Sequence, residues 1–193
     1  MSSEPGVHED YVDQLVGQWR RERPDLDPEP MSVIARISRA AHLLEKAQND
    51  VCVSFGLSLG SFDVLAALRR AGPPFCLSPT ALYSSLLISS GAITHRLSLL
   101  AEAKLIRRTS APSDGRSLLV LLTDEGRSTI DAAFEAHLAN EQKLIESLNG
   151  DDRELLTNVL RTLLLSHGDR PHAIDSGFSD HQSETPAVKS ADQ

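Results

Sequence analysis

Four side chains could together recognise a small planar anion: Trp19, Asp63, Arg70 and Arg108. Asp63 and Arg70 lie seven residues apart in an otherwise apolar stretch. In a helix this spacing places them on one face, about 10.5 Å apart along the axis. Arg70 could face the anion, Trp19 could stack on its ring, and Asp63 could accept from ring N–H groups. The alternative is structural, because an acid and an arginine on an apolar helix need partners and could form an ion-pair network with a neighbouring strand.

A second set of polar residues could contact DNA. Thr94, His95 and Arg96 lie early in a predicted helix, where base edges are usually met. Ser89 and Ser90 at its start suit contacts with phosphates. The apolar residues of this region recur every three to four positions, which predicts one buried face: Ile93, Leu97, Leu100 and, beyond the helix, Leu105. The alternative for His95 is that it merely faces water.

A basic ribbon follows this predicted helix. Asp114-Gly115 separates two strand-like runs, which is a strong hairpin signal and predicts a two-stranded ribbon. Upstream, Ser78-Pro79 predicts the start of a shorter helix. A helix-turn-helix followed by a basic ribbon is a winged DNA-binding unit, in which Arg116 would enter a minor groove and Asp114 would aim it. The alternative is a solvated arginine in a turn.

The rest of the chain must position these residues. Predicted helices run from Tyr11 to Arg23, Met31 to about Ser54, Leu59 to Ala71, Thr123 to about Leu148 and Asp151 to about Leu165. This divides the chain into a disordered start (1–8), an extra N-terminal helix with a Pro-rich connector (9–30), a main domain (31–167, winged unit about 56–123) and a disordered polar tail (168–193). The predicted helices in 31–54 and 124–167 have more apolar surface than the winged unit can cover. We therefore expect a second copy of the chain to cover it in a two-fold dimer.

Charge is unevenly distributed. The chain has a net charge of −8 and a pI near 5.3, which taken globally argues against nucleic acid. The segment 89–116, however, has five Lys or Arg and two acids, a net of +3. A basic reading surface on an acidic body predicts weak non-specific binding and an affinity that falls with salt. A dimer would read a pseudo-palindromic site whose half-site centres are roughly 34–36 Å apart.

Other function classes lack support in the sequence. No phosphate loop, nucleophile elbow or metal-ligand spacing occurs, so we expect neither an enzyme nor a cofactor or metal. No apolar run approaches the ~18–20 residues of a membrane span, and the polar start is not a secretory signal, so we expect a cytoplasmic protein without a membrane partner. Cys52 and Cys76 lie in apolar surroundings and favour buried thiols over a peroxide sensor.

Several of these motifs resemble the multiple-antibiotic-resistance regulator (MarR) family. The resemblance rests on Asp114-Gly115-Arg116-Ser117 and on Leu122-Thr123-Asp124-Glu125-Gly126, supported by Ile93–Leu97 and Leu105–Arg108, and it covers roughly residues 31–167. It implies a mainly α fold with a small β-wing, a winged helix-turn-helix, and a dimer formed by the N- and C-terminal helices.

The run Trp19–Asp27 resembles the urate-responsive branch of that family. The resemblance implies a ligand set of Trp19, Asp63, Arg70 and one further arginine, either Arg107 or Arg108, of which we prefer Arg108. It also implies that urate or a related small anion releases the DNA and de-represses a gene. Two alternatives stay open: a thiol-based redox regulator, and a winged-helix protein-interaction module without DNA binding.

Overall fold

The computed structural model describes residues 9–86, 93–110 and 118–170. These residues form helices and strands in the order α1 (Tyr11–Glu22), α2 (Glu29–Ser54), α3 (Leu59–Arg70), β1 (Cys76–Leu77), α4 (Pro79–Ser85), α5 (Ile93–Glu102), β2 (Ile106–Ser110), β3 (Leu118–Leu122), α6 (Asp124–Leu144) and α7 (Gly150–Ser166). The predicted mainly helical fold with a small sheet is confirmed.

The predicted helix starts follow from side-chain caps. The hydroxyl of Ser58 accepts from the amide of Ser61, and the hydroxyl of Ser78 accepts from Ala81 with Pro79 at the first helical position. Thr123 caps α6 by accepting from Gly126. Each cap satisfies an amide that has no partner within its own helix, which is why these helices begin where the sequence predicts.

The end of α6 differs from the prediction, since the helix stops at Leu144 and not near Leu148. Arg153 of α7 explains the earlier end. Its Nη2 donates to the carbonyl of Ile145 at 3.0 Å, and its Nε donates to the carbonyl of Leu148 at 2.9 Å. These bonds satisfy carbonyls in the α6–α7 turn, so the chain can leave the helix without losing acceptor partners.

The sheet has three strands, so the predicted two-stranded ribbon was incomplete. β3 pairs antiparallel with β2 from Ile106 opposite Leu122 to Ser110 opposite Leu118. Its other edge pairs with β1, with Cys76 opposite Leu121 and Leu77 opposite Val120. A strand of two residues is too short to show an alternating pattern, which is why the sequence did not reveal it. The predicted hairpin tip, Asp114-Gly115, lies outside the described residues.

The core is built around α3. Eight of its twelve residues are buried, and Val64, Leu65 and Leu68 have no exposed surface. The fully buried side chains that join them come from α4, α5, α6 and the sheet: Leu77, Leu82, Ile93, Val120 and Ile130. The helix that carries Asp63 and Arg70 therefore contacts both the winged unit and α6.

The terminal helices leave much apolar surface uncovered. α7 has no buried residue, and its leucines and valine are exposed along the described helix: Leu155, Leu156, Val159, Leu164 and Leu165. The outer face of α2 exposes Val33, Ile34 and Leu43. Within the described ranges no single helix is long and apolar enough to cross a membrane; α2 and α3 meet that criterion only as a pair, bent by 76°.

A substitution at Gly126 tests the packing of the sheet against α6. A Cβ at this position would collide with the backbone carbonyl of Leu105, which cannot move aside as a side-chain end can. We expect Gly126→Ala to lower the free energy of unfolding by roughly 1–3 kcal/mol, measured by urea denaturation. The matched control is Gly17→Ala in α1, whose nearest neighbour would be 3.7 Å away. That variant should be neutral or more stable by about 0.5–1 kcal/mol; equal effects of the two would contradict this packing.

Candidate functional site

The exposed face of α5 carries two of the predicted DNA contacts. Thr94 and His95 are exposed, whereas Ile93, Leu97 and Leu100 are buried, as the spacing predicted. The amphipathic pattern thus holds α5 against the core and leaves the side chains of Thr94 and His95 free for a ligand in solution.

Arg96 lies elsewhere, and its expected place on this exposed face is wrong. Its guanidinium packs on Gly60 in the first turn of α3, where only a glycine leaves room for it. Its Nη1 is buried and has no hydrogen-bond partner among the described residues. Arg96 follows Ile93 by three positions and precedes Leu97, so it falls at the border of the buried face and turns inward.

Four predicted contacts cannot be placed in this surface. Ser89, Ser90, Asp114 and Arg116 lie outside the described residues. The basic residues that the structure does describe on the wing strands are Arg107 and Arg108 of β2, and both are exposed. Nη2 of Arg108 donates to Oγ of Ser98 in α5 at 3.4 Å, which places a positive charge beside the exposed helix face.

Asp63 is the half-buried charge at the junction of three helices. Burial raises the pKa of its carboxyl group. The charges of Arg70 on α3, of His137 on α6 when protonated, and of Arg96 on α5 act in the opposite direction and lower that pKa. A buried carboxylate needs such compensation. The Asp63 carboxyl group on α3 is therefore within electrostatic range of charges on both α5 and α6.

His137 is a member of this site that the sequence interpretation missed. It is buried, and its ring stacks on Phe62 with centroids 4.7 Å apart and an interplanar angle of 26°. Its Nε2 lies 3.1 Å from Oε1 of Glu141, which also accepts from Nε2 of Gln48 on α2 at 3.0 Å. Nδ1 is buried without a partner among the described residues. The signal was available, because His137 follows Ile130 by seven residues and Ala133 by four on the buried face of α6.

Arg70 lies at the opposite end of the same α3–α6 contact. It is exposed, and its Nη2 donates to the carbonyl of Ser85 at 3.4 Å. It lines a cavity of about 90 Å³ whose walls are partly apolar and aromatic, with Ala66, Arg69, Ile130, Asp131 and Phe134. Nε of Arg69 donates to Oδ1 of Asp131 at 2.7 Å, so that arginine is already paired. Arg70 remains the cation that could bind an anion in this cavity.

Trp19 and Arg108 do not join Asp63 and Arg70 in the described part of one chain. Trp19 is 51% exposed and lines a separate cavity of about 270 Å³ between α1 and α2, with Arg23, Leu26, Asp27, Pro28 and Met31. Arg108 lies on β2 beside Ser98. The predicted four-residue set is therefore not brought into one cavity: Asp63 and Arg70 share α3, but of the four only Arg70 lines the cavity against α6.

Both cysteines are buried thiols, as predicted. Burial, together with the negative charge of Asp63, raises the pKa of Cys52 to about 11. Burial also raises the pKa of Cys76. Since the thiolate is the reactive form, neither setting favours oxidation by peroxide at neutral pH.

Comparison with known proteins agrees with this architecture. Residues 55–117 match a family model described as MarR family. The chain is 39% identical over 149 residues to the HTH-type transcriptional regulator PecS of Dickeya dadantii, covering 77% of this chain and 90% of PecS.

Solved structures share the fold. Sco3205, a MarR family transcriptional regulator from Streptomyces coelicolor solved in complex with DNA, is similar with a TM-score of 0.66 and 24% identity, covering 78% of this chain and 94% of Sco3205. BpsR of Bordetella bronchiseptica, whose DNA binding is regulated by 6-hydroxynicotinic acid, is similar with a TM-score of 0.61 and 24% identity, covering 68% of this chain and 91% of BpsR. The identity and coverage against PecS, together with the matched winged unit, show that the chain belongs to the MarR family of DNA-binding transcriptional regulators.

Proposed function

We propose that the protein is a repressor that binds a pseudo-palindromic operator as a homodimer and is released by a small anionic ligand such as urate. One observation carries this proposal: the core helix α3 carries Arg70, which lines the candidate ligand cavity, and also Gly60, against which Arg96 of α5 packs. Ligand binding and DNA binding would then meet on a single helix.

The reading of DNA is assigned to α5 and the wing. Thr94 and His95 are exposed on α5 and would contact base edges in the major groove. Arg107 adds an exposed positive charge on the adjacent strand β2 and would contact phosphates. Ser89 and Ser90 are proposed as phosphate contacts, and Arg116, aimed by Asp114, as a minor-groove contact, on the strength of their place in the sequence.

The homodimer is proposed from the uncovered apolar faces of α2 and α7. A helix with a continuous apolar face must bury it, and α7 buries none of its residues within one chain. A second copy provides the same faces in a two-fold arrangement. The dimer would place two α5 helices on one side of the DNA, about one helical turn apart.

The ligand is proposed to bind in the α3–α6 cavity. Arg70 would pair with its negative charge, and Phe134 and Ala66 would contact its planar ring. Trp19 and Arg108 lie apart from this cavity in the described part of one chain, and they are proposed as further ligand contacts on the strength of their place in the sequence. The anion would compete with Asp63 for the positive charges near it and so change the electrostatic environment that Asp63 shares with Arg96. Because Arg96 belongs to α5, the spacing of the two reading heads would change. The ligand acts only if it binds the DNA-incompetent spacing more tightly. A small ligand such as 6-hydroxynicotinic acid controls DNA binding in BpsR, which has the same fold.

We expect Arg116→Ala to weaken operator binding by about 1–3 kcal/mol, or roughly 5- to 150-fold, because the wing loses its groove contact. The measurement is fluorescence anisotropy with a labelled palindrome from the protein's own promoter region, at several salt concentrations. The control is Arg20→Ala, which removes the same charge from the exposed side of α1. Unchanged affinity in Arg116→Ala would refute the wing assignment. No binding of wild-type protein to any promoter palindrome would favour the protein-interaction module.

Arg70→Ala should separate sensing from reading. We expect operator affinity without ligand to stay within about threefold, because Arg70 lies away from α5 and the wing, while urate no longer releases the DNA. Arg70→Lys keeps the charge but loses the bidentate geometry, so its response should be intermediate. The measurement is the urate concentration that half-dissociates the protein–operator complex. A wild-type complex that neither urate nor related anions dissociate would count against the proposed ligand class.

The thiol-based alternative predicts a different outcome. Since the pKa of Cys52 is raised to about 11, only about a thousandth of this thiol is ionised at pH 8. We expect iodoacetamide to label Cys52 slowly in the native protein, with a rate that rises until the pH approaches that value. Hydrogen peroxide should leave operator binding unchanged in the wild type. Peroxide release that disappears in Cys52→Ser or Cys76→Ser would instead establish the redox mechanism.

A further inference from the structure

Arg36 of α2 holds the first turn of α1 through two carboxylates. Its Nε donates to Oδ2 of Asp10 at 2.9 Å, and its Nη2 donates to Oδ1 of Asp10 at 3.1 Å and to Oδ1 of Asp13 at 2.6 Å. Its Nη1 donates to the carbonyl of Ser32 one turn earlier in α2 at 3.0 Å. Two nitrogens of the guanidinium thus tie the start of α1 to the body of α2, and the third anchors the side chain on α2 itself.

The same two carboxylates start α1. Asp10 accepts from the amides of Val12 and Asp13, and the side chain of Asp13 accepts from the amide of Asp10, which is a capping box. The hydrogen bond from Arg36 is the largest of the effects that hold the pKa of Asp10 and the pKa of Asp13 below the usual range. Arg36 therefore contacts the groups that define where α1 begins and in which direction it runs.

Apolar and cation–π contacts also hold α1 within one chain. Val12 and Val16 are its buried residues, and the guanidinium of Arg39 on α2 lies over the ring of Tyr11, 4.6 Å from its centroid. A helix of twelve residues is marginal in water without such contacts. The two valines set which side of α1 faces α2, and the guanidinium bound to two carboxylates adds a directional contact at its first turn.

Trp19 depends on this arrangement because it lies near the other end of α1. It follows Asp13 by six residues, about 9 Å along the helix axis, and reaches the cavity that it shares with Met31 of α2. A small change of angle at the first turn therefore displaces the indole at the last turn. The cavity exists only while α1 stays docked on α2.

We propose that Arg36 is a positioning residue for the ligand response, acting by docking α1 and thereby placing Trp19. This inference rests on the proposed function, in which a small anion releases the operator. It assigns Arg36 no contact with the ligand or with DNA, so its effect must pass through α1.

The experiment compares Arg36→Gln with wild type in the full-length protein by two direct measurements of α1. Amide hydrogen exchange should lose protection at least about tenfold in α1 while α3 and α6 keep theirs, since only the local opening changes. Trp19 is the only tryptophan of the chain, so acrylamide quenching of its fluorescence reports on its position directly, and quenching should increase. Arg36→Lys, which can keep one of the ion pairs, should restore both measurements in part. Lys46→Gln, the same change of charge at an exposed site of α2, is the matched control and should behave as wild type.

The functional arm measures operator binding with and without urate. Operator affinity without ligand should stay within about threefold, and the half-releasing urate concentration should rise at least about tenfold, which corresponds to roughly 1.4 kcal/mol. Unchanged exchange and quenching in Arg36→Gln would overturn the docking role. Altered exchange and quenching with an unchanged urate response would overturn the link to sensing. A wild-type protein that ignores urate would count against the proposed function, and exchange and quenching would then decide alone whether Arg36 places Trp19.

Discussion

A partly buried carboxylate in the most buried of the described helices is the constraint on which much of this structure depends. Asp63 lies on α3, where eight of twelve residues are buried, and burial raises its pKa. Burial disfavours the charged form of a carboxyl group unless positive charges lie nearby. Partial compensation comes from three helices, through Arg70 of α3, Arg96 of α5 and His137 of α6 when it is protonated. Asp63 is therefore sensitive to charges on the winged unit and on the long helix α6, which α3 also joins by apolar packing.

That constraint explains two features that otherwise look like exceptions. Gly60 stands in the first turn of a buried helix because the guanidinium of Arg96 occupies the space of its missing side chain. His137 is a polar residue in the core because Phe62 stacks on its ring and Glu141 binds its Nε2. Both positions place a cationic or ionisable group near Asp63. A ligand that changes the charges near Asp63 would act on Arg96 and His137, whose side chains are closely packed against α3. Closely packed interfaces tend to move as units.

The outer helices α2 and α7 present the reverse situation, because apolar residues on them are exposed to solvent within one chain. α7 exposes four of its six leucines, and α2 exposes Val33 and Ile34. A monomer with so much exposed apolar surface would associate, and a two-fold dimer is the closed way to do so. Trp19 and its cavity lie among these outer helices, whereas Arg70 and its cavity lie against the core. Within one chain α2 connects the two cavities, because Arg36 attaches α1 to α2 and α2 packs against α3 and α6.

Local patterns in the sequence determined the helices, their caps at Ser58, Ser78 and Thr123, the buried face of α5 and the motifs that mark the MarR family. These signals need only residues a few positions apart, because helix periodicity and capping are local interactions. Only the tertiary structure decided that Arg96 turns inward and that β1 forms a third strand. It also decided that His137 lies near Asp63 and that Trp19 and Arg70 line separate cavities. Each of these depends on groups far apart in the chain, whose distance is set by how α3 packs against α5, α6 and the sheet and not by their spacing in the sequence.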